Sequence, residues 1–143
     1  YLGFIGDAVA VGTFWGSTVG LTNDYALGCN AGTFADAVFT ITLTEARDVT
    51  LSTNSTVAGA GISVVPTCGS PLAELRCTRF MTSAPTMRLR GLAAGTYRVI
   101  VETGAIPAPF RITYRTDPPT PVAPEESCPA TAMSPVVDLE NGT

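Results

Sequence analysis

The sequence predicts an all-β fold, an antiparallel β-sandwich or related barrel. Three observations carry that reading. Apolar residues recur with period two in short runs rich in β-branched and aromatic side chains. Turn signals separate those runs at intervals near ten residues. No stretch combines helical periodicity with caps.

The strongest run is Asp36–Thr53 (DAVFTITLTEARDVTLST). Phe39, Ile41 and Leu43 point one way, Val38, Thr40 and Thr42 the other, and Val49 and Leu51 resume the apolar side. It reads as two strands folded back on each other across Glu45-Ala46-Arg47, with the other strands covering its apolar face. Before it, Leu2, Phe4, Ile5 and then Ala8 to Trp15 are β-like, interrupted by glycines that suggest bends or close sheet packing. The single Trp, Trp15, is expected as a core or sheet-edge anchor, with a ligand platform as the alternative. Thr22-Asn23-Asp24-Tyr25 is a turn with Asx chemistry, in which Asp24 stabilises the turn rather than ligating calcium. After the polar loop Asn54 to Gly61 come short strands at Ile62–Val65 and Leu72–Cys77. Met87 and Leu89 then alternate with Arg88 and Arg90. Tyr97, Val99 and Val101 oppose Arg98, Ile100 and Glu102, and Phe110, Ile112 and Tyr114 oppose Arg111, Thr113 and Arg115. The outward arginines are expected to form a stripe across the late strands, either a solvated face or a contact for polymer or anionic glycan.

Residues 1–116 are therefore assigned to a β-sandwich domain. Residues 117–127, with four prolines and no large apolar residue, form a semi-extended linker. A tether of about a dozen such residues spans roughly 35 Å when polyproline-like. Residues 128–143 regain strand character at Met133, Val136, Val137 and Leu139, a candidate donor strand for a neighbouring subunit or repeat.

Composition excludes several functions. The 143 residues suit one domain with a sizeable core, and 14% are charged. A net charge of −4 argues against a nucleic-acid partner, and no run is apolar and long enough for membrane insertion as a helix. All eight basic residues are Arg. His is absent, which removes the commonest general base and neutral metal ligand, so Ser-His-Asp, Cys-His and Cys/His zinc sites cannot be built. No catalytic residue, metal ligand or cofactor is assigned; an enzyme using only Asp36, Glu45, Asp48 and Glu102 is the least favoured reading. The chain begins at Tyr1 without signal-peptide features, as expected of a mature or excised segment or an arbitrary boundary.

Four cysteines suggest two disulfides, with three pairings open. Cys68 and Cys77 flank a turn and form the natural local pair, which leaves Cys29 with Cys128, within one chain or between chains. Asn54-Ser55-Thr56 and Asn141-Gly142-Thr143 fit the N-glycosylation pattern, making Asn54 and Asn141 candidate acceptors.

In order and spacing, DAVFTITLTEARDVTLST at 36–53, CGSPLAELRC at 68–77, LRGLAAGTYRVIVET at 89–103 and the ending Ala108 to Tyr114 resemble the bacterial pre-peptidase C-terminal (PPC) domain. The resemblance covers roughly residues 17–116 and implies an extracellular, jelly-roll-like β-sandwich without catalytic residues of its own. Family members often carry acidic residues just after the second cysteine of the CGS…C element; Thr78 and Arg79 stand there in this chain, a departure that counts against calcium. Family units commonly open with a Glu-Ser-Cys-like segment before an apolar strand, and the matching Glu126 to Met133 lies here at the C-terminal end. The sequence is thus phase-shifted: it is one period of a tandem array, or its first strand comes from elsewhere.

The expected function is a non-enzymatic structural subunit or repeat of an extracellular bacterial filament or cell-surface protein. Its partner is another copy of itself, joined head-to-tail by strand donation and a Cys29–Cys128 disulfide, with a surface glycan as a second candidate partner. The alternative is an accessory carbohydrate- or protein-binding module of a secreted hydrolase. That reading needs Trp15, Tyr25, Tyr97 and Tyr114 on one surface, whereas their alternation buries most of them.

Overall fold

The computed structural model describes residues 4–6 (backbone only), 11–55, 57–66, 73–81 and 83–121. The strands are β1 (Phe4–Gly6), β2 (Val11–Ser17), β3 (Asp36–Leu43), β4 (Arg47–Thr53), β5 (Ala60–Val65), β6 (Arg76–Arg79), β7 (Thr86–Leu92), β8 (Gly95–Thr103) and β9 (Pro109–Asp117). They form a β-sandwich. The first sheet has the order β1-β3-β8-β5-β6 and the second β2-β9-β4-β7. Every pairing is antiparallel except β1 with β3, where Phe4–Gly6 runs parallel to Thr40–Thr42.

The core is the set of inward positions of both sheets. Ala37, Phe39, Ile41 and Leu43 of β3 and Tyr97, Val99 and Val101 of β8 meet Val49 and Leu51 of β4, Met87 and Leu89 of β7 and Phe110, Ile112 and Tyr114 of β9. The alternation expected for β7, β8 and β9 is borne out. Phe14 of β2 caps this core, stacked on Phe39 at 6.0 Å and tilted against Tyr114 at 5.8 Å. Gly12 faces Tyr114 so closely that a Cβ there would run into the ring.

Two local expectations are corrected. Asp36–Thr53 is not a hairpin: β3 pairs with β8, while β4 pairs with β7 and β9 in the opposite sheet. The reason is burial. Folded as a hairpin, both apolar rows would lie on one face of one sheet, whereas crossing at Glu45-Ala46-Arg47 sets them face to face and buries each with the other. The arch is closed by the Arg47–Glu45 ion pair. The strand expected at Leu72–Cys77 begins later, at Arg76, and its approach is fixed by Leu75 N–H donating to Val64 O at 2.8 Å.

Part of the first sheet is buried on both faces, as the unbroken burial of Ala60–Val65 and of Val99–Thr103 shows. Its outer face carries a smaller cluster of Leu27, Val65 and Ile100, with Tyr25, Val38 and Cys77 packed against it. The β2–β3 connection supplies the cover. The second sheet keeps its outer face toward solvent, with alternating burial along β7 and β9.

Truncating Phe39 to Ala is expected to lower unfolding free energy by about 3–5 kcal/mol, while Trp15→Ala on the exposed face changes it by no more than about 0.5 kcal/mol. Urea titrations followed by circular dichroism compare the two.

Candidate functional site

The β2–β3 connection is an excursion of irregular backbone, and irregular backbone needs hydrogen-bond partners when it lies on a sheet. Asp36 provides two: its Oδ2 accepts from the N–H groups of Asp24 (2.8 Å) and Tyr25 (3.0 Å). Thr22 Oγ1 donates to Asp24 Oδ1 at 3.1 Å, the Asx-type turn expected there. Further along, Asn30 Nδ2 donates to Gly59 O at 2.7 Å and to Glu102 Oε2 at 2.5 Å. Gly28 N–H donates to Glu74 Oε1 at 3.2 Å, and Glu74 also accepts from Ser63. A groove of about 630 Å³ remains between this connection and the outer face of β3 and β8, lined by Thr22, Tyr25, Asp36, Val38 and Arg98 among others.

Cys29 is bonded to Cys77 at an S–S distance of 2.01 Å, which overturns both expected pairings, Cys68–Cys77 and Cys29–Cys128. Sequence proximity favoured Cys68 for Cys77. Instead the connection lies across the outer face of the first sheet and brings Cys29 within a Cα–Cα distance of 5.6 Å of β6. Cys68 and Cys128 lie outside the described residues. Such a bond is the chemistry of an oxidising compartment, periplasmic or extracellular.

The burial of Glu102 is what the sequence does not reveal. Alternation places it on the outward face of β8, and it is 0% exposed because the connection covers that face. Burial raises its carboxyl to about 7; the neighbouring Asp36 charge adds to the rise and the Asn30 hydrogen bond opposes it. Oε1 has no partner among the described residues. Burial likewise raises Asp36, against the lowering by its two backbone donors. An acidic residue at an otherwise apolar outward position, between Ile100 and the buried Thr103, was the only sequence signal.

The carboxylates weighed as an enzyme site are dispersed. Asp36 and Glu102 are cross-strand neighbours on the first sheet, Asp48 opens β4 on the second, and Glu45 sits exposed at the arch. Among the described residues no group of three His, Cys, Asp or Glu is placed to hold a metal ion.

The arginines do not make one stripe. Arg88 and Arg90 of β7 and Arg111 and Arg115 of β9 share the outer face of the second sheet, whereas Arg98 belongs to the first and donates to Pro66 O at 3.3 Å. Arg88 pairs with Asp48 at 2.8 Å and Arg115 with Asp117 at 2.8 Å. Asp48 also accepts from Thr120 Oγ1 and from Gly91 N–H at 2.7 Å. The Thr120 bond leads these in holding its carboxyl far below the ordinary range.

Trp15 is 73% exposed, so the core reading fails and the sheet-edge reading stands. The Arg111 guanidinium lies 5.8 Å from its ring centroid. Tyr97 and Tyr114 are buried in the core and Tyr25 is packed under the β2–β3 connection, so no exposed aromatic row forms. Asn54 is exposed, but its Oδ1 accepts from Arg111 N–H at 2.6 Å. Met133, Val136, Val137, Leu139 and Asn141 lie outside the described residues.

Along β2, all seven residues pair with β9 on one side, and among the described residues no strand pairs on the other. The opposite side of the sandwich is closed by the approach of β6 to β7. Val11 is 60% exposed on the open side, and Val19 and Leu21 are exposed just beyond it.

No family model and no curated protein sequence matches the chain. Solved structures that share its fold include the following two. A periplasmic inhibitor of g-type lysozyme from Aeromonas hydrophila aligns over 80% of this chain and 96% of its own, at 10% identity and a TM-score of 0.54. The pre-peptidase C-terminal domain of a Bacillus anthracis collagenase aligns over 79% of this chain and 93% of its own, at 14% identity and a TM-score of 0.50. The PPC resemblance therefore holds at the level of the fold.

Two outcomes follow from the covered face. Replacing Cys29 and Cys77 by Ser is expected to cost about 4 kcal/mol for a span of 48 residues, measured by urea denaturation; peptide mapping without reductant should recover the Cys29–Cys77 cross-link. Glu102 is protonated more readily folded than unfolded, so its contribution is complete below its unfolded value near 4.5 and is lost as pH rises through about 7. Melting temperature should therefore fall between pH 5 and pH 7.5, and Glu102→Gln should flatten that fall.

Proposed function

We propose that the chain is a non-enzymatic structural subunit or repeat of an extracellular bacterial filament or surface protein, each copy receiving the C-terminal segment of its neighbour. The observation that supports this reading is that the chain leaves over one side of the second sheet while β2, at the other side, has no further strand beside it among the described residues. Thr120 is bonded to Asp48 of β4 and, at 3.0 Å, to Arg88 of β7, so the chain leaves over the β7 side. β2 lies at the far side of the order β2-β9-β4-β7 and has no strand beyond it among the described residues, whereas β7, the other edge strand, is approached by β6. A strand added at β2 satisfies that row of backbone groups and covers apolar surface. Met133, Val137 and Leu139 fall on one period-two row, with Ser134, Val136 and Asp138 on the other, a pattern that suits that task.

Head-to-tail addition of this kind is heterologous and leads to an open array. A Cys29–Cys128 bond has no place in it, because Cys29 is already bonded to Cys77. From Pro121 the tail must cross three strand spacings, about 14 Å, to return to its own β2. Residues 122–127 reach ~19 Å when extended, so the test must separate return from donation.

The test compares the full chain with a chain ending at Pro121, by light scattering after gel filtration, and adds a peptide of residues 122–143 to the shortened chain. Head-to-tail donation requires concentration-dependent multimers of the full chain, a monomeric shortened chain, and peptide binding that Val11→Asp weakens. A full chain that stays monomeric at the highest attainable concentration overturns the reading, whether the peptide binds (return to its own β2) or not.

A further inference from the structure

The chain is acidic, at net charge −4, yet the outer face of the second sheet carries Arg88, Arg90, Arg111 and Arg115 against only Asp48 and Asp117. Strand register arranges the side chains there in tiers. Arg115 lies across from Val11 on one side and Thr50 on the other, and Thr50 lies across from Arg88. The next tier is Thr13, Thr113, Ser52 and Thr86, all side by side. Trp15 and Arg111 form the third.

Each tier offers different chemistry. The hydroxyls of the middle tier make no hydrogen bond to another described residue, so a row of donors and acceptors faces outward. The Trp15 ring is a flat apolar platform beside a cation. At the other end a hollow of about 400 Å³ lies between Arg88 and Arg115 over Thr50, with Asp117 in its wall. Adjacent strands are about 4.8 Å apart, and four residues along a strand cover about 13 Å, so the three tiers make a flat surface rather than a pocket.

We propose that this face docks an acidic polysaccharide, a glycan bearing carboxylate or sulfate groups. The ring stacks on the apolar side of a sugar, the hydroxyl tier meets sugar hydroxyls, and Arg111, which has no ion pair among the described residues, binds an acidic substituent through two parallel hydrogen bonds, while Arg88 and Arg115, held by Asp48 and Asp117, add to the positive charge of the face. An acidic peptide would answer the charge and the hydroxyls but presents no repeated flat apolar sugar face to the Trp15 ring, and the net charge of −4 opposes nucleic acid. The site belongs to one copy of the sandwich and does not depend on the assembly proposed above.

Affinity electrophoresis of the full chain in gels containing polygalacturonate, dextran sulfate or uncharged dextran tests it. Retardation is expected in one or both acidic gels and not in dextran, with polygalacturonate and dextran sulfate separating carboxylate from sulfate recognition. Trp15→Ala and Arg111→Gln should each weaken it about tenfold, equivalent to about 1.4 kcal/mol. Arg115→Gln is a second exposed variant should either fold poorly. The proposal is overturned if no acidic glycan retards the chain, if all three variants are retarded as strongly as the parent, or if polyglutamate competes as well as the glycan does.

Discussion

The first sheet is buried on both faces along β5 and the second half of β8, and the rest of the molecule answers that condition. Two sheets packed face to face normally leave each sheet one wet face. Here Ile100 and Val65 put apolar surface on the outside of the first sheet, and Glu102 puts an acid among it. Only chain folded back over that face can cover it. The β2–β3 connection does so, and because its backbone is irregular it must be pinned at intervals. Asp36 holds its start, Cys29–Cys77 and Asn30 its end. Gly104 belongs to the same region: its φ of +96° and the approach of the Ala58 carbonyl, where a Cβ would stand, require glycine.

With one sheet closed off, the available surface of the sandwich falls largely to the other. The second sheet has a solvated outer face and, at β2, an unpaired edge. Edges of this length are usually blunted by charge, proline or covering chain. The seven residues of β2 hold no charged side chain and no proline, no described segment covers its outer side, and Val11 and Trp15 stand exposed on it. The β7 side differs, since β6 approaches it and Arg88 and Arg90 project there. The asymmetry between the two sides is thus chemical as well as topological.

Much of this was legible in the sequence, and what was not has physical causes. Period two marked the inward faces of β7 and β9 because their sheet has one wet face and must alternate, and that of β8 because Tyr97, Val99 and Val101 form an apolar inward row. The same period could not say whether β3 and β4 share a sheet, since an arch and a hairpin need the same apolar rows and differ only in where the chain crosses. Glu45-Ala46-Arg47 lacks the Asn-Gly or Asp-Gly signature that marks the tightest hairpins, a cue that pointed the right way. The disulfide was misread because chain proximity is a poor guide once a long connection doubles back over a sheet. Glu102 was misread for the same reason: alternation gives the face a side chain points to, not whether a connection lies on that face.

The two proposals for the second sheet bear on each other through geometry. A strand joined to β2 would lengthen the sheet on the side of Trp15, and its outward side chains would continue the face on which Arg111 and the hydroxyl tier lie. Copies linked in this way would present that face repeatedly along one array. A flat, solvated site that pairs exposed charges with a polymer gains little from any single contact, because such pairs are screened by water and salt. Repetition changes this. Once one copy is docked, the next meets the same polymer at high effective concentration, and avidity rises without any new contact. A weak glycan face and an open strand edge are therefore physically compatible on one small domain: assembly supplies the multiplicity that a shallow, polar surface lacks.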